Sequence, residues 1–113
     1  MRPDLARPSD LTGILKMVRA LSAFHDDTAS ATLESLQEAF FGPRGQATAL
    51  VMRDGDRLVG YAGLLHSLAL HTTKERVDIH HLFVAETHRG QGVGKALIAY
   101  ATELARSRGC RGL

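Results

Sequence analysis

Apolar and polar positions follow two different periods, and the change falls near the middle of the chain. Over about Asp10–Phe24, apolar residues recur three and four positions apart, which predicts a helix. Thr32 is a suitable N-cap for a second helix, which we expect to end at Phe40 because Gly42 and Pro43 follow. The first part of the chain is therefore predicted to be helical.

From position 47 the apolar residues alternate with a period of two, which is typical of strands. We expect strands at Ala47–Arg53 and Arg57–Leu65, joined by a hairpin turn at Asp54–Asp56. A third strand is predicted at Val77–Val84. Strict alternation divides its side chains between two faces, with Val77, Ile79, His81 and Phe83 on one and Asp78, His80, Leu82 and Val84 on the other.

The last predicted helix covers about Gly92–Ser107 and carries one apolar stripe. Gly109 suits a left-handed C-cap, and Cys110–Leu113 begins what we expect to be one more strand. Helices and strands in this order predict a mixed α/β fold. Because the chain has 113 residues, we expect a single domain over residues 1–113.

Composition and charge remove several classes of function. Fourteen basic residues against twelve acidic ones leave a formal charge of +2, so we expect no nucleic-acid partner. The single cysteine, Cys110, allows no internal disulfide and no zinc site built on paired cysteines, and we expect no metal. A signal-peptide pattern and an apolar run of roughly 20 residues are both missing, which favours a cytoplasmic location without a membrane partner.

The segment Arg89–Lys95, which reads RGQGVGK, carries the clearest chemical signal because it lies between a predicted strand and a predicted helix. It is not a Walker A loop, since Arg89 and Ala96 replace the required glycine and the required Ser or Thr. It is not a dinucleotide fingerprint either, because neither possible register supplies the third glycine. What remains is a turn with alternating glycines at the start of a helix.

This helix start is unusual because it lacks a capping side chain and has Lys95 at the positive end of the helix dipole. A bound polyanion explains both features. The free N–H groups would donate to phosphate oxygens, and Gly90, Gly92 and Gly94 would let the backbone approach closely. The alternative is a tight turn with solvated amides.

The strand Ile79–Val84 and the turn Arg89–Gly94 together resemble the GNAT acetyltransferase family. The coenzyme motif of that family has the form Arg/Gln-x-x-Gly-x-Gly/Ala, which Arg89, Gly92 and Gly94 match. Phe40–Pro43 and the opening helices resemble its diamine and polyamine branch more weakly. The resemblance implies a mixed, mainly antiparallel sheet flanked by helices.

The resemblance also implies acetyl-CoA as co-substrate and a primary amine, of a small molecule or of a protein, as acceptor. The pyrophosphate is expected on the amides of Gln91–Lys95 and near Arg89, and the pantetheine is expected to pair with the strand before the turn. The implied coenzyme-binding residues are Leu82, Phe83, Val84, Arg89, Gly90, Gln91, Gly92, Val93, Gly94 and Lys95.

Members of this family often carry a general base on the strand before the turn, where Asp78 and His80 lie. We prefer His80, because an imidazole with an ordinary pKa near 6.5 suits neutral pH. Alternation is expected to point His81 to the opposite face, so the two histidines do not form a metal pair. A backbone N–H at or near Leu82 is expected to polarise the carbonyl.

Family members normally continue beyond the position of Leu113 with a strand, a helix and further strands. The chain is therefore expected to lack the usual C-terminal strands and helix. Three interpretations stay open: a shortened acetyltransferase, a chain that completes its cleft with a second copy, and a coenzyme-binding module without catalysis. An exposed edge at Val77–Val84 favours a homodimer.

Overall fold

The strands form one antiparallel sheet within the part of the chain that the computed structural model describes, residues 1–24 and 30–108. They lie in the order β1-β2-β3-β4, with β1 at Pro3–Leu5, β2 at Ala47–Asp54, β3 at Arg57–Ala69 and β4 at Lys74–Val84. The helices are α1 at Leu11–Phe24, α2 at Leu33–Phe41 and α3 at Val93–Ser107. The mixed, mainly antiparallel fold is confirmed, while the predicted Gly109 cap and the Cys110–Leu113 strand lie outside the described residues.

The start of α2 shows why local signals predict the helices well. Thr32 Oγ1 accepts a hydrogen bond from the Ser35 N–H at 3.1 Å, and the Thr32 N–H donates to Ser35 Oγ at 2.9 Å. This reciprocal cap satisfies a donor at the helix end that would otherwise lack a partner. The predicted Thr32 cap is confirmed, and the helix ends at Phe41, where the Gly42 N–H donates to the Glu38 carbonyl.

Helices cover both faces of the sheet. The helix α3 packs on one face against a buried cluster that includes Leu50, Met52, Val59, Ala62, Leu64, Val77, Val93 and Leu97. The helices α1 and α2 pack on the other face, against Ala49, Val51 and Tyr61. The alternation along β2, and along β3 from Gly60 onward, accounts for this division, because neighbouring strand residues point to opposite faces.

An extra residue in β4 changes its alternation. Gly63 pairs with His81, whereas the next residue of β3, Leu64, pairs with Ile79, so His80 has no opposite partner on β3. Such a β-bulge moves every later side chain to the other face. Leu82 and Val84 therefore pack on the α3 side and Phe83 on the α1 side. The predicted division of Val77–Val84 between two faces is wrong beyond Ile79.

The strand boundaries differ from the predicted ones at the ends of the sheet. The strand β3 continues to Ala69 and β4 begins at Lys74, because the two strands stay paired as a hairpin beyond the end of β2. This extension carries few buried side chains, so it leaves no apolar alternation to detect. The strand β1 was not predicted, since three residues are too short to show a period of two.

A buried ion pair joins the start of α1 to the sheet. Asp10 is 8% exposed, and its carboxylate accepts hydrogen bonds from both terminal nitrogens of Arg53 on β2. The Arg7 N–H donates to the same carboxylate at 2.7 Å. The Arg53 hydrogen bond holds the pKa of Asp10 below its usual value of 3.8. The pair thus positions α1 over the sheet.

We expect Asp10→Asn to lower the free energy of unfolding by about 3 kcal/mol at neutral pH, because it leaves Arg53 partly buried without a counter-charge. The folded chain binds a proton at Asp10 less tightly than the unfolded chain does. This contribution is therefore full above pH 3.8 and is lost as the pH falls through the lower pKa of the folded state.

Chemical denaturation across this pH range measures the difference, which should shrink in acid. Asp4→Asn is the matched control, because the Asp4 side chain is 51% exposed in its contact with Arg7. Equal losses in the two variants would contradict the assignment.

Candidate functional site

The start of α3 has the geometry of an anion site. Gly92 is the N-cap residue, and both Gly90 and Gly92 have φ of +80°, a left-handed conformation that favours glycine. Of the described residues, none caps this helix through a side-chain hydrogen bond, and its first turn contains no acidic residue. A Cβ atom placed on Gly90 or Gly92 would have no described atom within 4 Å. The first amides of the helix are therefore open to a ligand.

Side chains of the turn hold it against the rest of the sheet. Arg89 Nε donates to the Val84 carbonyl at 3.1 Å, and Gln91 Nε2 donates to the Thr87 carbonyl at 3.3 Å. His88 Nε2 lies 2.9 Å from Asp54 Oδ2 at the β2–β3 turn. These contacts connect the turn to β4 and to the neighbouring hairpin.

Buried apolar contacts complete the support of this turn. Val93 is 3% exposed and packs against β3 at Gly60, where a Cβ atom would lie 2.7 Å from Val93 Cγ1. Its side chain therefore belongs to the core, and Val93 can contact a ligand only through its backbone. Gly94 lies beside Leu82 and Val84, so the first turn of α3 rests on the end of β4.

A cleft of about 580 Å³ opens beside the end of β4. Its lining residues are Ala20, Leu21, Leu82, Phe83, Val84, Glu86 and Arg89. The structure thus brings the predicted strand residues together with Arg89, and Gly90–Lys95 continue directly from Arg89 into α3. We refer to this space as the β4-end cleft. Ala20 and Leu21 on α1 could not be predicted from the sequence, because a tertiary contact brings them here and no motif marks them.

The bulge in β4 places two imidazole rings side by side. The centroids of the His80 and His81 rings are 4.7 Å apart, with an angle of 33° between the rings. The prediction that these residues point to opposite faces is wrong, because it assumed unbroken alternation through His80. Two histidine side chains are therefore available on the α1/α2 side of β4.

A second cavity of about 180 Å³ adjoins these histidines on the α1/α2 side. It is lined by Val18, Ala31, Leu36, Ala39, Phe40, Ala47, Tyr61, Gly63, Leu64, Leu65, His80 and His81. We refer to it as the bulge cavity. On β4 its lining ends at His81, and the lining of the β4-end cleft begins at the next residue, Leu82. Their lining could not be predicted, since it combines α1, α2 and three strands.

Tyr61 lies at this cavity and contacts one of the two histidines. Its hydroxyl is 3.5 Å from His81 Nδ1, and its ring meets Phe40 edge to face with centroids 6.4 Å apart. Burial raises the pKa of Tyr61 to about 12. The phenol therefore keeps its proton at neutral pH and can donate it in a hydrogen bond to His81. Neither Tyr61 nor His81 is among the site residues that the sequence predicts.

Asp78 has other partners on the same side of β4. Its Oδ2 accepts a hydrogen bond from Ser67 Oγ at 3.3 Å, and its Oδ1 lies 3.6 Å from Arg76 Nη2. Ser67 and Arg76 both lie nearer to the β3–β4 turn than Asp78 does. Assistance to His80 by Asp78 stays a prediction.

The described residues contain neither a metal-binding cluster nor a membrane-spanning helix. In residues 1–24 and 30–108, no group of three or more His, Cys, Asp or Glu could hold a metal ion. No helix of that same part of the chain is long and apolar enough to span a membrane.

Comparison with known proteins points in the same direction as the geometry. The family model described as the Acetyltransferase (GNAT) family matches residues 15–113. The thialysine N-epsilon-acetyltransferase of Mus musculus is 30% identical over 115 aligned residues, which cover 93% of this chain and 67% of that protein. N-acetyltransferase 8 of Homo sapiens is 29% identical over 84 residues, which cover 74% of this chain and 37% of that protein.

Solved structures show the same arrangement of elements. A ribosomal-protein-alanine N-acetyltransferase from Brucella melitensis biovar Abortus 2308 superposes on the whole chain with a TM-score of 0.77 and 25% identity, and the chain covers 78% of it. An aminoglycoside acetyltransferase from an uncultured soil metagenomic sample superposes on 98% of the chain with a TM-score of 0.82. The chain covers 73% of that protein, and the identity of 18% limits the likeness to the fold.

The raised pKa of Tyr61 gives a direct test of its burial. We expect its phenol to titrate near pH 12, against an ordinary value of 10.0, in a tyrosinate absorbance titration of the folded chain. Because the folded state binds this proton more tightly, the stability that it contributes is full below pH 10.0 and is lost as the pH rises toward 12. Tyr61→Phe retains Tyr100, so the difference between the two titrations isolates Tyr61. A difference signal centred near pH 10 would disprove the burial effect.

Proposed function

The chain belongs to the GNAT acetyltransferase family, and on that premise we propose that it transfers the acetyl group of acetyl-CoA to a primary amine. The observation that carries this proposal is that neighbouring residues of β4 line two different spaces. Leu82–Val84 and Arg89 line the β4-end cleft, and the preceding residues His80 and His81 line the bulge cavity. A donor and an acceptor bound in these two spaces would meet at the bulge.

The residues around the cleft suit a phosphate-bearing coenzyme. The amides at the start of α3 supply donors and the positive end of the helix dipole, and Lys95 in the first turn adds a positive charge. Arg89 also lines the cleft, and its Nε donates a hydrogen bond to the Val84 carbonyl. A carbonyl oxygen has two lone pairs, so Val84 can still accept a second hydrogen bond from a pantetheine amide. Glu86 also lines the cleft and is the one acidic group among its described lining residues.

The acceptor must be a neutral amine before it can attack a thioester. An alkyl ammonium with a pKa near 10.4 costs about 4–5 kcal/mol to deprotonate at neutral pH. His80 lines the bulge cavity and is exposed, so its imidazole can take this proton directly or through water. Acetyl-CoA would supply the acetyl group as a thioester with a thiolate leaving group.

A hydrogen bond between Tyr61 and His81 would determine which ring nitrogen of His81 carries a proton. Tyr61 Oη lies 3.5 Å from His81 Nδ1, and a hydroxyl that donates to Nδ1 would leave the proton of a neutral His81 on Nε2. The His80 ring lies beside that of His81, with a centroid separation of 4.7 Å.

The state of assembly and the location are part of the same proposal. A homodimer would cover the edge of β4 that, within the described residues, pairs with no second strand. A soluble amine and acetyl-CoA as co-substrates would suit a cytoplasmic location.

Gly92→Asp should weaken acetyl-CoA binding by at least about tenfold, because it places a negative charge where phosphate is proposed to bind. Gly92→Asn is the matched control, since it has the same shape without the charge. Both variants bear the strain of a left-handed backbone, about 1–2 kcal/mol, and both side chains enter open space.

Calorimetry with acetyl-CoA, desulfo-CoA and ADP separates the contributions of the phosphates and of the pantetheine arm. If Gly92→Asp binds acetyl-CoA as tightly as Gly92→Asn does, the assignment of this turn is incorrect.

His80→Ala should lower kcat/KM for an amine by about 100-fold near neutral pH, because the base is lost. The rate should recover as the pH approaches the pKa of the amine, where the acceptor loses its proton without help. His71→Ala, in the exposed β3–β4 turn, is the control for loss of an imidazole. A pH–rate profile decides, and an equal loss at every pH would assign a packing role to His80.

A further inference from the structure

A series of side-chain hydrogen bonds crosses the loop between β4 and α3. Both ring nitrogens of His88 have a partner, since Nε2 lies 2.9 Å from Asp54 Oδ2 and Nδ1 lies 2.8 Å from Thr87 Oγ1. The Thr87 carbonyl in turn accepts a hydrogen bond from Gln91 Nε2 at 3.3 Å, and Gln91 directly precedes Gly92, the N-cap of α3. We refer to this series of contacts, from Asp54 to Gln91, as the hairpin tether.

The chemistry of its two partners determines how His88 binds them. An ionised carboxylate accepts hydrogen bonds and donates none, so the contact with Asp54 requires a hydrogen on Nε2. Nδ1 of a neutral ring then accepts from the Thr87 hydroxyl, and Nδ1 of a protonated ring donates to the same oxygen. The His88 side chain is 14% exposed, so water has limited access to these contacts from its side.

Asp54 is a fixed point of attachment because it belongs to the sheet. It is the last residue of β2 and pairs with Arg57, the first residue of β3, across a turn in which Gly55 has φ of +64°. The start of the loop is held by β3 as well, because the Ala85 N–H donates to the Val59 carbonyl at 2.8 Å. The hairpin tether therefore connects the glycine-rich turn to the β2–β3 hairpin.

We propose that His88 is a positioning residue that holds the turn Arg89–Lys95 in the conformation that binds coenzyme A. This inference rests on the proposed binding of acetyl-CoA at this turn, and it adds a residue that the sequence does not predict for the site. Gly90 and Gly92 both have φ of +80°, and glycine adopts many other conformations as readily. A turn without the tether would sample more of them, and ordering the turn on binding would lower the affinity.

His88→Phe keeps a ring of similar shape and removes both side-chain contacts, whereas His88→Gln keeps an amide donor that can reach Asp54. We expect His88→Phe to raise the Kd for coenzyme A about fivefold in calorimetry, because the tether contributes one ordinary hydrogen bond to a partner that is 56% exposed. His88→Gln should restore most of the affinity. In turnover, the KM for acetyl-CoA should rise by the same factor, with kcat within about twofold of the parent value, because the groups at His80 are unchanged.

Asp54→Ala removes the other partner of the central contact. Asp56→Ala is its matched control, because Asp56 is an exposed carboxylate of the same turn. We expect Asp54→Ala to weaken coenzyme A binding about as much as His88→Phe does, and the double variant to bind no more weakly than either single variant. Asp56→Ala should bind coenzyme A as the parent chain does.

Calorimetry with coenzyme A keeps the inference separate from turnover. If the tether variants bind more weakly and the parent chain acetylates no amine, the positioning role holds and the proposed transfer fails. If a folded His88→Phe chain binds coenzyme A as tightly as the parent, the positioning role is overturned. Should His88→Phe fail to fold, Asp54→Ala decides in the same way, because it removes an exposed side chain. Losses that add in the double variant, or that Asp56→Ala shares, would also overturn the role, because the contact between His88 and Asp54 would not be their cause.

Discussion

The extra residue in β4 at His80 is the constraint on which the proposed site depends. Without it, Leu82 and Val84 would face α1, and the single side chain of Phe83 would replace both of them beneath the first turn of α3. The same insertion puts the His80 and His81 rings next to each other. One irregularity in strand pairing thus supports the α3 turn on one face and places two titratable groups on the other.

The position of the α3 turn is determined by packing as much as by its glycines. Val93 fits against β3 because Gly60 has no side chain, and Arg89 and His88 bind the preceding residues to β4 and to the β2–β3 turn. A loop held at this many points loses little further conformational freedom when a ligand binds. Such preorganisation makes each amide at the helix start a more effective donor to a bound anion.

Local signals in the sequence predict the helices, three of the strands and the glycine-rich turn. Thr32 capped its helix as expected because capping needs residues three positions apart. The bulge could not be predicted from a period of two, since Leu82, Phe83 and Val84 are all apolar and fit either register. The two spaces are also lined by Tyr61, Ala20 and residues of α2, which are far from β4 in the sequence. Local sequence patterns do not predict such long-range contacts.

The close approach of Tyr61 to its own strand limits how these positions can diverge. A Cβ atom at Gly63 would overlap the Tyr61 hydroxyl and lie 3.5 Å from the Cβ atom of His81. A larger residue at 63 becomes acceptable once a smaller one replaces the tyrosine, so substitutions at the two sites are permitted in one order and blocked in the other. Among descendants of this chain, positions 61 and 63 are therefore expected to change together, and the phenol–imidazole contact to be kept or lost as a unit.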